Sequence, residues 1–265
     1  MSEPVLLCVQ DEIASIVLSR PEQGNAIDLS MAKALLRAVI ACDQDDKVRC
    51  VILNASGKLF CAGGDLDAFV HAKEGISRYL SELAGTFHLA ISRLMRMHKP
   101  VVVLVNGSAA GAGMSLALIG DIVLAQRSAS FTPAYGAIGL SPDGGLTWLL
   151  PRLIGLRRAQ EIILLNKRLN AHQAFELGLV TRVVEDGQLS IEGHTVAQSL
   201  VGMNVVALGS VRQLLLQSHG SQLEAHLESE ARSLSALSSQ PYVQDKVAAF
   251  IQQRSAKNNK EQHHG

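Results

Sequence analysis

Three short stretches of the chain hold residues whose types and spacing could do chemistry. The first, GLSPDGGLTW at 139–148, sets one carboxylate, Asp143, between a proline and two glycines in a segment otherwise free of charge. Taken alone, Pro-Asp-Gly is turn chemistry, because proline sets φ at one corner and glycine accepts a positive φ at the next. The other reading is a catalytic carboxylate. The second and third stretches, FCAGGDL at 60–66 and NGSAAGAGMSLA at 106–117, are glycine-bearing loops. Glycine there lets a backbone N–H approach a ligand closely, or lets a loop pack tightly on a helix. Each loop alone is ordinary packing, and either motif alone would be a weak signal. His88 and His98 flank a helical stretch with no partner at metal spacing. Both read as solvated or core histidines, and no metal site is expected.

The elements that must position these residues follow from periodicity. IASIVLSR at 13–20 is rich in β-branched residues and stops at Pro21, so it predicts a strand. From Asp28 the pattern turns helical, with Leu29, Ala32, Leu35, Leu36, Val39 and Ile40 on one face and Asp28 or Ser30 as the cap. VRCVILNA at 48–55 predicts a strand feeding the FCAGGDL loop, and 74–97 predicts a long amphipathic helix ended by Lys99-Pro100. Then come the strand VVVLVN, the loop NGSAAGAGMSLAL opening a helix, and the strand DIVLAQ. Strand-helix-strand alternation with near-continuous apolar strands predicts an α/β fold, a sheet covered by helices. From Leu149 onward the pattern is almost all helical, with a helix over 172–184 stopped at Gly178 before a short strand, and further helix over 221–255.

In this order and at these spacings, the two glycine loops followed by GLSPDGG resemble the crotonase (enoyl-CoA hydratase/isomerase) superfamily. The likeness runs from SRPEQGNAID through AFELGLV to AAFIQQR. It implies a ββα-repeat spiral core over 1–198 carrying the acyl-CoA site, and a helical region over 199–265 for trimerisation and CoA closure. It also implies an acyl-CoA thioester as substrate, coenzyme A entering only as part of it, with no metal or redox cofactor. The assembly implied is a homo-trimer or a dimer of trimers. Matching the motifs position by position, the oxyanion donors are the backbone N–H groups of Gly64 and Ala112. Ala62, Asp65 and Leu66 fall at the adenine pocket, and Ala26 beside the pantetheine or nucleotide. Asp65 reads equally as the N-cap of the next helix. Phe250 and Lys257, with Arg254, match a helix that closes over CoA, often from a neighbouring subunit. Glu22 replaces a basic residue common after Arg-Pro in the family, and Arg20 could take over its phosphate contact.

The departures from the family pattern carry more than the agreements. Ser115 and Tyr135 stand where the hydratases carry two glutamates, and neither is an anionic base near neutral pH at its ordinary pKa. Two-glutamate hydration is therefore not expected. Asp143 stands where members that shift double bonds, rearrange a ring epoxide, or attack an aromatic ring place a single acid. The resemblance thus implies an acyl-CoA isomerase with Asp143 as acid and base. A dehalogenase-like enzyme with Asp143 as nucleophile is the alternative, and a non-catalytic binding protein the reading from another class. Tyr135, Leu140 and Trp148, with Phe69, are expected to line the acyl pocket.

Bulk properties narrow the rest. With 24 Lys+Arg against 24 Asp+Glu in 265 residues, nothing pulls the chain toward nucleic acid or an anionic membrane. Cys8, Cys42, Cys50 and Cys61 share no Cys-x-x-Cys spacing, which fits reduced thiols in a cytoplasmic protein. The start MSEPVLLCVQDE lacks the basic region of a secretory leader, and the apolar stretch from Pro100 to Gly120 is interrupted by Asn-Gly and serine. That stretch is expected in the core and not in a membrane.

Overall fold

The computed structural model describes residues 3–262, apart from the side chains of 253 and 255–262. It divides into two units, the first ending at Met203 and the second beginning at Asn204. In chain order the first unit contains β1 (Val5–Gln10), β2 (Ile13–Leu18), α1 (Leu29–Gln44), β3 (Cys50–Ala55), α2 (Leu66–His71) and α3 (Ile76–Arg96). These are followed by β4 (Val101–Val105), β5 (Ser108–Ala110), α4 (Ala112–Leu118), β6 (Ile122–Gln126), β7 (Ser130–Thr132), α5 (Leu146–Ile154) and α6 (Leu156–Leu164). The unit closes with β8 (Leu169–Asn170), α7 (Ala171–Glu176), β9 (Arg182–Val184) and α8 (Leu189–Val201).

Six strands form one sheet in the order β1-β2-β3-β4-β6-β9, antiparallel only between β1 and β2. A smaller sheet, β5-β7-β8, stands beside it. The large sheet is covered on both faces, which is why β4 reads VVVLV and is buried throughout. Alternate residues go to opposite sides. Val51, Leu53, Val101 and Val103 join the main core with Leu35 and Val39 of α1 and Phe87, Ile91 and Leu94 of α3. Ile52, Val102 and Leu104 face the other way, packing with Leu189 and Ala197 of α8. Gly193 lets α8 lie close, since a Cβ there would stand 2.6 Å from the Leu104 methyls.

Local chemistry fixes the element ends. Asp28 caps α1 by accepting from Met31 N at 2.7 Å. At the other end of α1, the buried Lys99 ammonium donates to the carbonyls of Cys42, Asp43 and Asp45, a cation placed on the negative end of the helix. Two features were not readable from the pattern. VLLCVQ forms β1, a sheet-edge strand exposed from Leu6 onward, and the glycine loop at 106–111 holds β5, a three-residue strand too short for periodicity to show. The first unit reaches Met203, and α8 packs Leu189 and Ala197 on the sheet.

The second unit consists of α9 (Val205–Ser218), α10 (Leu223–Ser238) and α11 (Pro241–Gln262). Asn204 caps α9 by accepting from Val206 N and Ala207 N. Within this unit Val211, Leu215, Leu227 and Leu234 are exposed. No single helix among the described residues is long and apolar enough to cross a membrane.

Candidate active site

The two glycine loops are stitched to each other before any ligand is considered. Cys61 bridges Ala109, Ala110 N donates to Cys61 O at 2.9 Å, and Cys61 N donates to Ser108 O at 3.1 Å. Gly63, at φ +101, lies so close to the second loop that a Cβ would stand 2.8 Å from Ala110 O. On the other side Ile27 bridges Gly64, and the fully buried Asn25 donates to Ser56 O and Leu59 O at 2.9 and 3.0 Å. Loop 60–66 is thereby clamped between 20–27 and 106–111.

Beneath these loops opens a cleft of about 430 Å³. Gly64 and Ala112 both line it. Neither N–H donates to a protein acceptor among the described residues, so both are available to a ligand. Ala112 is the first residue of α4, following Gly111 at φ +53, so its free N–H belongs to the positive end of a helix. Leu66, Phe69, Leu83, Phe87, Ile138 and Leu140 supply apolar wall, and Asp143 is the one carboxylate of the lining.

Asp143 is held by Tyr135 and Ser115. Tyr135 Oη donates to Asp143 Oδ1 at 2.6 Å, and Ser115 Oγ donates to the Asp143 carbonyl at 2.9 Å. Ser115 Oγ also lies 3.3 Å from Tyr135 Oη. Burial, and then the negative charge of Asp143, push the Tyr135 phenol well above its ordinary pKa, so it stays protonated and remains a donor. The next residue, Gly144, adopts φ +60, and a Cβ there would stand 2.8 Å from both Phe87 and Ser115. Pro142-Asp143-Gly144 is therefore a turn whose backbone places Asp143 in the lining of the cleft.

His88, read from the sequence as a solvated or core histidine, is half exposed and also reaches Asp143. From α3 its Nε2 lies 3.3 Å from Asp143 Oδ2 and 3.1 Å from Gly144 N. A signal existed: Ala84, Phe87 and Ile91 form the buried or cleft-facing stripe of α3, and His88 is on its flank.

The remaining candidates are distributed unevenly. Ala62, Leu66, Tyr135 and Leu140 line the cleft with Gly64, Ala112 and Asp143. Ala26 and Asp65 do not line the cleft. Asp65 caps α2 by accepting from Ala68 N at 3.1 Å, and it also meets Arg20 at 3.2 Å. Arg20 is further paired with Asp28 at 2.8 Å, so its charge is spent on two carboxylates and it does not stand free for a phosphate. Trp148 does not line the cleft. Leu146 and Leu150 face the core from α5, which turns Trp148 outward against the Arg152 guanidinium, 4.0 Å from the ring centre. Phe250 is exposed in the second unit, and the side chain of Lys257 lies outside the described residues. Among the described residues no three His, Cys, Asp or Glu side chains cluster as metal ligands.

Comparison with known proteins gives the family. Residues 9–261 match the model of the family described as enoyl-CoA hydratase/isomerase. The chain is 36% identical to 1,2-epoxyphenylacetyl-CoA isomerase of Escherichia coli (strain K12), over 96% of this chain and 98% of that protein. It is 30% identical to 4-chlorobenzoyl coenzyme A dehalogenase-2 of an Arthrobacter species, over 91% of this chain and 87% of that one. The solved structure of an enoyl-CoA hydratase from Polaromonas sp. JS666 superposes with a TM-score of 0.90 at 29% identity, covering 94% of this chain and 97% of that one. The chain has the crotonase fold and belongs to the enoyl-CoA hydratase/isomerase family, whose enzymes process acyl-CoA thioesters.

Proposed function

We propose that the protein is an acyl-CoA isomerase that moves a double bond through a thioester enolate, with Asp143 as acid and base. The observation that carries this reading is a single carboxylate in an apolar cleft that also presents two unpaired backbone N–H groups. The thioester oxygen accepts from Gly64 N–H and Ala112 N–H, which stabilise the negative charge that develops when a neighbouring carbon loses its proton. Asp143 Oδ2 takes that proton, since Oδ1 is already occupied by Tyr135. The electron pair shifts along the acyl chain, and Oδ2 returns a proton to the far carbon as the enolate collapses. Coenzyme A enters as part of the substrate, and the scheme calls for no metal or redox cofactor. Ala62, Leu66, Ala26 and Asp65 remain the proposed CoA side of the site, with Phe250 and Lys257 closing over it. A homo-trimer or dimer of trimers is proposed for the assembly, and light scattering of the purified protein reads it directly.

The experiment is incubation with 3-hexenoyl-CoA. A conjugated 2-enoyl thioester of unchanged elemental composition supports the reading, and unchanged 3-hexenoyl-CoA, with 2-hexenoyl-CoA hydrated by the same protein, overturns it in favour of hydration. The likeness to the dehalogenase favours one other chemistry, attack of the Asp143 carboxylate on an electron-poor aryl-CoA ring. An aryl ester on Asp143 seen by mass spectrometry with 4-chlorobenzoyl-CoA selects that reading instead.

A further inference from the structure

Asp143 uses its two oxygens differently. Oδ1 accepts from Tyr135 at 2.6 Å, whereas Oδ2 lies 3.3 Å from His88 Nε2. The same Nε2 stands 3.1 Å from the N–H of Gly144, which can only donate. A neutral imidazole nitrogen carries either a lone pair or a proton. With a lone pair, Nε2 accepts from Gly144 and the ring proton sits on Nδ1. With a proton, Nε2 donates to Asp143 Oδ2 and leaves Gly144 without that acceptor. One atom therefore has two mutually exclusive partners, and one of them is the oxygen that carries the substrate proton in the proposed reaction. Nδ1 meets no protein partner among the described residues, and the His88 side chain is 49% exposed against 32% for Asp143. The ring thus spans from the carboxylate toward water without itself lining the cleft. Within the cleft the other ionisable group is the Tyr135 phenol, which burial keeps protonated.

We propose that His88 is a proton relay between Asp143 Oδ2 and bulk water, a role that rests on the isomerase reading of Asp143. Once Oδ2 holds the proton taken from the acyl carbon, that proton passes to Nε2, and Nδ1 releases its own proton to water. The reverse sequence delivers a solvent proton to Oδ2, so charge and proton count are restored and nothing is oxidised or reduced. Gly144 N–H favours the starting tautomer by occupying the Nε2 lone pair. The relay competes with direct return of the original proton to the second carbon. His88 consequently sets the fraction of turnovers in which the product carries hydrogen from solvent, and it acts through Asp143 without touching substrate.

The test is isomerisation of 3-hexenoyl-CoA in deuterated water, reading deuterium per molecule of 2-hexenoyl-CoA formed. His88→Gln keeps an acceptor for Gly144 and a donor for Asp143 but cannot pass a proton through. The deuterium content per turnover is expected to fall at least about tenfold, a conservative fraction of what a positioned proton-transfer group contributes. His88→Ala is expected to fall likewise and to regain deuterium uptake when imidazole is added. A His88→Gln product as deuterated as that of the unaltered enzyme overturns the relay, even if turnover itself is slower, because slower turnover alone is what a purely structural role produces. Isomerisation by the unaltered enzyme with no deuterium uptake also overturns it while leaving the isomerase reading intact. Failure of the unaltered enzyme to isomerise overturns that reading, and the relay with it.

Discussion

Replacing Tyr135 by phenylalanine removes one hydroxyl and nothing else from the wall of the cleft. That hydroxyl makes the 2.6 Å contact to Asp143 Oδ1, in the range of charge-assisted O–H···O⁻ hydrogen bonds. Such bonds to charged groups contribute about 1.5–3 kcal/mol. Because the carboxylate must stay aimed at the reacting carbon in the transition state, the loss is expected in kcat, by about 10-fold to about 150-fold at about 1.36 kcal/mol per tenfold. The bond is present before substrate binds, so folding stability falls by up to the same about 1.5–3 kcal/mol, while the ring still fills its site and Ser115 Oγ keeps the Asp143 carbonyl at 2.9 Å. The assay follows the absorbance of the conjugated thioester formed from 3-hexenoyl-CoA, with Tm recorded in parallel. A folded Tyr135→Phe protein that keeps the original kcat refutes the idea that the phenol positions the base. The phenol also makes a pH prediction. Its pKa is raised in the folded state, first by burial and then by Asp143, so its stabilising contribution is complete below its ordinary value of about 10 and is lost as the pH climbs through the folded value. In alkaline unfolding the phenylalanine variant lacks that component of the decline.

Two other perturbations probe the loops and the thiols. Ala112→Pro deletes a proposed oxyanion donor at the first position of α4, where proline is tolerated, and kcat for 3-hexenoyl-CoA is expected to fall by about 10²–10³ while circular dichroism is retained. Burial pushes the Cys42 thiol up to about 11 and the Cys61 thiol up to about 12, while Cys8 is exposed. Iodoacetamide at neutral pH should therefore label Cys8 and spare Cys42 and Cys61 in the folded protein, as peptide mapping reads. Those two raised values contribute stability that is complete below the ordinary thiol pKa of 9.0 and fades as the pH rises toward 11 and 12.

What could be read in the sequence was what depends on local chemistry. The strands 13–20 and 48–55, the Asp28 cap, the helix ended before Pro100 and the glycine loops all follow from periodicity and turn residues, and the structure has them at Ile13–Leu18, Cys50–Ala55 and Ile76–Arg96. Gly64, Ala112 and Asp143 come together in one cleft because both loops and the Pro-Asp-Gly turn converge on it. What stayed hidden depends on partners distant in the chain. His88 meets Asp143 across a gap of 55 positions, and only the packing of α3 against the turn brings them together. Trp148 went the other way, expected in the pocket and turned outward, because the buried Leu146 and Leu150 set the face of α5. Arg20, read as able to take over a phosphate contact, is held by the carboxylates of Asp28 and Asp65.

The claim at the centre of the account is that Asp143 moves the proton, and Asp143→Asn tests it most directly. Asparagine keeps the size of the side chain and an oxygen for the Tyr135 hydroxyl, so the cleft and thioester affinity, measured by calorimetry with hexanoyl-CoA, should be preserved. Turnover of 3-hexenoyl-CoA should fall by at least about a hundredfold, the lower end of what a general base contributes. A folded Asp143→Asn protein that binds hexanoyl-CoA and isomerises 3-hexenoyl-CoA at the original rate would contradict the account and leave Asp143 as a turn residue alone.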